Sequence, residues 1–334
     1  MGRLGPILDE FKDRLVKAAF VTVDCELSGL TEDRKHITDL DDYLLLLRDG
    51  VTTYSLLQVG FCIAVYDQHA EKWLLYPYNF FVYPSEDCIM HLRSATVKWL
   101  KDKGFDFMRW IAEGQPFQRL DDTCKKPGCT KRQKAVGRFG LQKFLEAIMK
   151  YRKPLVVHNG LLDLYHIYDK FIGVLPEQPQ EILKAFYNRL GPAIYDTKYV
   201  AKTLQSLGLQ EHNHRMCSLV HLYKAYDKRF NFDETVQIRP TACNVDYNLV
   251  KSGSGESAKV DLSRLHEAGC DATVTAMIFT AEMSILLKED MIPSHCIPSA
   301  PLEDAEFTGS KTQMVINRLN VHEQIGIDCI QLGA

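Results

Sequence analysis

The sequence predicts an α/β fold on a mixed sheet, three antiparallel strands joined to parallel ones and flanked by helices. Three observations predict it. The stretches opening at Phe20, Tyr54 and Trp73 are β-branched and aromatic runs bounded by breakers, and successive strands with short links are most simply antiparallel. From residue 141 onward helical and strand patterns alternate, which implies parallel crossovers. The first strand ends in Asp24 and Glu26, two residues apart and so on one face of a strand.

The elements follow in order. Ile7, Phe11, Leu15 and Val16 give residues 7–19 a helical spacing that leads into the first strand. Ser28-Gly29 breaks that strand. Residues 31–50 are polar around Tyr43-Leu44-Leu45-Leu46-Leu47, a loop and a short helix. Residues 54–66 and 73–83 form the second and third strands around a hairpin-like loop, and Pro84-Ser85 ends the third. Residues 94–103 read as helix, with Ser94 as N-cap and Gly104 as the stop. Residues 113–138 are polar and basic (Arg119, Lys125, Lys126, Lys131, Arg132, Lys134, Arg138), a loop or insertion point. Then come a helix over 141–151, a short buried strand over 154–158, a helix over 161–172, a strand over 193–196 and a helix from Thr197. Residues 217–226 are helical, 230–262 irregular, and 252–257 a low-complexity loop. A long apolar helix runs from near Ala268 to Leu287. From Pro293 prolines punctuate the chain, and 312–334 open another element that is cut short.

The 334 residues suffice for one large domain or two smaller ones, divided here into 1–295 and a C-terminal extension 296–334. A hydrophobic content of 46% and a charged content of 25% match an ordinary globular chain. The net charge of −3 excludes a global basic field, so any nucleic-acid binding must come from local basic patches or metal ions. No apolar run is read as approaching a membrane span; the longest candidate, 44–47, is far too short. The first six residues lack the apolar core of a signal peptide, and Pro6 stands where a myristoylation signal wants Ser or Thr. The ten cysteines are scattered, several of them (Cys25, Cys62, Cys217) in apolar segments, which suits a reducing compartment, cytoplasmic or nuclear. Cys124 and Cys129 have no second pair nearby and make no zinc site.

Asp24 and Glu26 repel each other and have no adjacent basic residue, so a divalent cation is their natural partner; two solvated acids at an exposed strand end is the alternative. Three further segments bear on the choice. Asp163 lies in the first turn of the helix after His158-Asn159-Gly160, at the sheet edge where α/β folds place sites, although the helix dipole alone accounts for an acid there. Asp196, at another strand end, reads first as an N-cap. Asp271 opens an apolar helix, and an acid facing a core needs a partner. His266 precedes that helix and can lean over the same point, or can serve as a structural histidine.

In this order and context the motifs resemble a known family. Asp24-Cys25-Glu26, His158-Asn159-Gly160-Leu161-Leu162-Asp163 and His266-Glu267-Ala268-Gly269-Cys270-Asp271 are similar to the DEDDh signature of 3′–5′ exonucleases with a ribonuclease-H-like fold. With Tyr78-Asn79-Phe80-Phe81-Val82-Tyr83-Pro84, Gly104-Phe105-Asp106-Phe107 and Asp196-Thr197-Lys198, the chain resembles the poly(A)-specific ribonuclease (PARN) branch, a member without the inserted RNA-binding domain. In its place stands the basic loop 113–138, and the tail is similar to the segment that leads into a C-terminal RNA-recognition-type domain.

The resemblance implies a Mg²⁺-dependent 3′–5′ exoribonuclease, a deadenylase or small-RNA trimmer that releases 5′-nucleoside monophosphates. It implies two Mg²⁺ ions, with Mn²⁺ as substitute, held by Asp24, Glu26, Asp163 and Asp271, with His266 as general base. The substrate is a single-stranded RNA 3′ end, contacted by Leu27 and Leu30 as apolar wedges, Asn159, and Lys198 toward a phosphate. For the leucines core packing stands beside this role, and for Lys198 a solvated helix start. A homodimer is carried over from the same branch. The rival readings are a catalytically inactive RNA-binding relative and a DNA-directed 3′–5′ exonuclease.

Overall fold

The computed structural model describes residues 4–31, 37–84, 89–117, 140–191, 193–210, 217–243, 245–248, 260–291, 295–297, 311–321 and 329–332. The basic residues expected to track RNA, 119–138, and the 252–257 loop lie outside them.

The centre is β1 (Phe20–Leu27). Its neighbours are β2 (Leu56–Asp67), antiparallel, and β5 (Leu155–Val157), parallel. β3 (Lys72–Pro84) pairs antiparallel with β2 through ten registered residue pairs, from Gln58 opposite Phe81 to Asp67 opposite Lys72. Beyond β3 lie β4 (Gln115–Phe117) and β7 (Val236–Ile238), both parallel to it. On the other side the order continues from β5 through β6 (Ile194–Asp196) to β8 (Arg318–Asn320) and β9 (Cys329–Gln331). The mixed sheet is the expected one, wider by the short strands β4 and β7 and by the two strands of the C-terminal extension.

The period of two along β1 sorts its side chains onto two cores. Val21, Val23 and Leu27 face a core shared with α1 (Leu4–Lys17) and α5 (Gln142–Lys150). There the Phe11 ring meets Phe61, Tyr78 and Phe144 edge to face at 5.8, 4.9 and 5.0 Å. Phe20 faces the opposite core, where it meets Phe279 at 4.9 Å. Phe279 belongs to a 22-residue helix, Ala268–Glu289. By length and composition this helix could cross a membrane, which corrects the expectation that no segment approaches a span; 94% of its most apolar 18-residue window is buried inside the fold, and it serves as the central core helix. Buried on nearly all sides, it shows no polar face to mark it as part of a globular core.

Several boundaries moved. The helix expected within 31–50 is α2 (Leu40–Thr53), capped by Asp39, whose side chain accepts from the Asp42 N–H. Ser94 is the first residue of α3 (Ser94–Asp102) and not its cap. Gly104 takes φ +89 at the stop. α4 (Phe107–Glu113) follows with Asp106 as cap. The 161–172 helix is α6 (Leu161–Ile167) closed by one π-turn, Tyr168–Ile172. A helix at Pro179–Arg189, α7, had no expected counterpart; α8 (Thr197–Ser206) did. The 230–262 region holds a short helical turn, Phe232–Thr235, running into β7, a three-residue strand too brief to show a period. In chain order α9 (Leu219–Phe230), the turn α10 (Phe232–Thr235) and α11 (Ala268–Glu289) complete the helices used below.

Candidate active site

The first turn of α11 is pressed onto the face of β1 and β2 that carries Asp24 and Glu26. Asp24 sits opposite Gly60 and Glu26 opposite Gln58. Gly60 makes the approach possible: a Cβ there would lie 2.1 Å from the Ala268 carbonyl group. Three contacts lock the helix down. The Ala268 N–H donates to Gln58 Oε1 at 2.9 Å, the Gly269 N–H to Asn79 Oδ1 at 3.0 Å, and Thr22 Oγ1 to the Ala272 carbonyl at 2.6 Å. These side chains satisfy two of the N–H groups that a helix start leaves open.

That docking brings Asp271 to the end of β1. Glu26, Asp271 and His266 each place a ligand atom within 4.8 Å of the other two. His266 has φ +73, and its N–H donates to both Asp271 oxygens at 3.2 and 3.3 Å. Its ring packs edge to face on Trp99 of α3, with centroids 4.6 Å apart. Glu267 next to it accepts from Asn79 Nδ2 at 3.0 Å, from the Tyr247 hydroxyl at 2.9 Å and from Arg264 at 2.7 Å. The loop that carries His266 is thus tied to β3. Asp163 arrives on the first turn of α6, close enough to Cys25 for its backbone and thiol to favour the charged carboxyl.

Glu26 and Asp271 are buried and Asp24 and Asp163 half-buried, and each of the four is raised above the ordinary carboxyl range. Burial is the largest cause throughout. Asp24 is raised well above the ordinary range by burial and then by Asp271, Asp163 and Glu26. Glu26 is raised by burial, Asp271 and Asp163. Asp163 and Asp271 are both pushed up to about 7, the latter although the His266 N–H favours its charged form. Every charged neighbour that shifts Asp24 is another acid. Acids so arranged fit a divalent cation, which removes the repulsion that holds them partly protonated. His266 is lowered by burial and by Lys103, so its imidazole is neutral near pH 7.

The expected substrate residues divide. Leu30, three residues past the end of β1, is 48% exposed, whereas Leu27 is 7% exposed because its parity on β1 turns it into the opposite core; it takes the packing role. Asp196 is the N-cap of α8, as its sequence context indicated, with its side chain accepting from the Lys198 N–H. Lys198 is half-buried, close enough to His158 to help lower its titration to about 3. Asn159 is exposed at the turn before α6, with φ +54. One site residue escaped the sequence reading: Trp99, 43% exposed against His266. Its signal was weak, a single aromatic in a polar helix far from the acids along the chain.

The model of the CAF1 family ribonuclease matches residues 3–135 and 119–279. The human poly(A)-specific ribonuclease PNLDC1 is 26% identical over 204 residues, 60% of this chain and 36% of the relative. The pre-piRNA 3′-exonuclease trimmer of Bombyx mori is 28% identical over 140 residues, 42% of this chain and 24% of the relative. The chain therefore spans about a third or less of the length of these relatives. In fold it is similar to S. pombe Pop2p in its Mg²⁺- and Mn²⁺-bound form, with a TM-score of 0.53 at 14% identity over 93% of each chain.

Proposed function

Because the chain belongs to the CAF1 ribonuclease family, we propose that it is a 3′–5′ exoribonuclease that shortens single-stranded RNA from its 3′ end. The observation that carries this reading is the convergence of four mutually repelling carboxyls with a neutral imidazole inside one ligand distance of two of them. Relatives named poly(A)-specific ribonuclease and pre-piRNA trimmer support tails or small-RNA ends as substrates.

Asp24, Glu26, Asp163 and Asp271 are the residues that would hold a pair of Mg²⁺ ions, or Mn²⁺ in their place. Bound there, such ions lower the pKa of water and screen the charge on a phosphodiester. The protein's own part is to fix and to shape. His266, held by its N–H bonds to Asp271 and by Trp99, accepts the proton of the attacking water, which a neutral imidazole can do. Asp271 in turn fixes the His266 backbone. Trp99, against His266, and Leu30, just past the end of β1, are exposed apolar surfaces suited to the faces of unpaired bases. Lys198 supplies positive charge at the same edge of the sheet.

The test is incubation of the protein with 5′-labelled RNAs ending in A, U, C or G tails, with Mg²⁺ or with EDTA, beside DNA oligomers of the same sequence. Stepwise loss from the 3′ end that needs Mg²⁺ and disappears in Asp24→Asn is expected. Mg²⁺-independent cleavage, or an inert protein that still binds RNA, refutes the reading; preference for DNA refutes the substrate class.

A further inference from the structure

Asn159 is held by a clasp that reaches it from the C-terminal end of the sheet. Its N–H donates to Asp196 Oδ1 at 2.8 Å, and the same oxygen accepts from the Lys198 N–H at 3.0 Å. The second Asp196 oxygen accepts from the Asn320 N–H at 3.0 Å. Asn320 closes the ring, its Nδ2 donating to Asn159 Oδ1 at 2.7 Å. Asp196 is fully buried and Asn320 is 3% exposed. Asn320 is the last residue of β8, beyond residue 279 where the family match stops.

The clasp gives Asn159 a polarity. Among the described residues Asn320 Oδ1 is buried with no partner. Turning both amides over would leave a buried NH₂ without an acceptor in place of one carbonyl oxygen, and orphaned donors are the rarer and costlier defect. The oxygen of Asn159 is therefore occupied inward, and its own NH₂ remains for the exposed side, at the turn that leads into the Asp163 helix.

We propose that Asn320 is a positioning residue for RNA trimming: by holding the carbonyl oxygen of Asn159 it fixes that side chain as a hydrogen-bond donor to a phosphate or ribose oxygen of the terminal nucleotide. The proposal rests on the reading of the site given above. It assigns to β8, which widens the sheet and sends Leu319 into the core, a part in substrate binding. It also explains why an asparagine, with no apolar surface to bury, sits inside the sheet edge.

The experiment measures kcat and KM on a labelled single-stranded RNA for the wild type, Asn320→Ala, Asn320→Ser, Asn159→Ala and the Asn159→Ala/Asn320→Ala double variant. Thermal denaturation is followed on each, and Asn320→Ser carries the comparison if the alanine variant does not fold. Each Asn320 variant is expected to raise KM about fivefold, the worth of one hydrogen bond, with kcat nearly unchanged. In the Asn159→Ala background Asn320→Ala should add nothing, because its effect passes through the residue already removed. Losses that add, or a loss carried by kcat at constant KM, overturn the proposal while leaving the ribonuclease reading intact. A wild type that is inert on every RNA overturns that reading, and the role of Asn320 with it.

Discussion

Replacing Asp271 by asparagine should make the metal-free protein more stable while abolishing its activity. In the folded chain the Asp271 carboxyl is pushed up to about 7 from an ordinary 3.8, by burial and by Asp163 and Glu267. Folded Asp271 keeps its proton up to about pH 7, whereas the unfolded chain releases it near 3.8. Between these values the folded state binds more protons, so the wild type loses stability as pH rises through the window. At pH 8 the ionised group costs the folded state up to about 4 kcal/mol relative to a neutral isostere. Asparagine is that isostere, and its Oδ1 can still accept the His266 N–H. The repulsion is shared with Asp24 and Asp163, which relax when one charge goes, so a gain of about 2–4 kcal/mol is expected in EDTA at pH 8. For a chain of 334 residues that is a rise of roughly 3–6 °C in Tm. The gain should shrink to nothing near pH 4. Excess Mg²⁺ should reverse the ranking, since the wild type keeps every ligand and gains binding energy that the variant has lost. Thermal denaturation at pH 4, 6 and 8, with EDTA and with Mg²⁺, reads all of this. A variant no more stable than the wild type in EDTA at pH 8, or a gain independent of pH, would refute the account of the cluster as four acids awaiting a cation.

His266→Ala should lower turnover by about 10²–10⁴-fold, the span for loss of a general base, with Mg²⁺-dependent stabilisation largely kept; loss of that stabilisation in melts would instead assign His266 to metal binding. Trp99→Ala should weaken binding of single-stranded RNA by about 1–3 kcal/mol if a base stacks on the exposed indole, as read by fluorescence anisotropy on an Asp24→Asn background, and unchanged affinity would leave Trp99 as a support for His266 alone. Gly60→Ala forces a Cβ to within 2.1 Å of the Ala268 carbonyl; a destabilisation of about 3 kcal/mol or more and loss of activity are expected, and a stable, active variant would show that α11 can move off β2.

The pieces of the candidate site are legible in the sequence for local reasons. Asp24 and Glu26 share a face because strand side chains alternate, and β1 keeps that alternation through its pairing with β2. Asp163 and Asp271 each stand in the first turn of a helix, where capping and dipole favour an acid. Asp196 was read correctly as a cap for the same kind of reason. The long apolar helix was placed almost to the residue, but its burial was not, since a pattern that is apolar all round does not say what surrounds it.

The tertiary structure decided which of these local features meet. Residues near in sequence report a period, and a period fixes a face; nothing in it says which other element covers that face. That Gly60 admits the first turn of α11, that His266 turns through φ +73 to bond Asp271, and that Trp99 lies against it are consequences of packing between distant segments. Leu27 is sent to the opposite core by the same alternation that turns Asp24 and Glu26 toward α11, and packing decides that this face is the covered one. The strands β5 and β6 are as short as β7 and β8 but announce themselves as apolar runs, whereas Val236-Gln237-Ile238 and Arg318-Leu319-Asn320 are broken by polar residues; the hydrogen bonds of neighbouring strands give these two an extended form and bring Asn320 to Asn159.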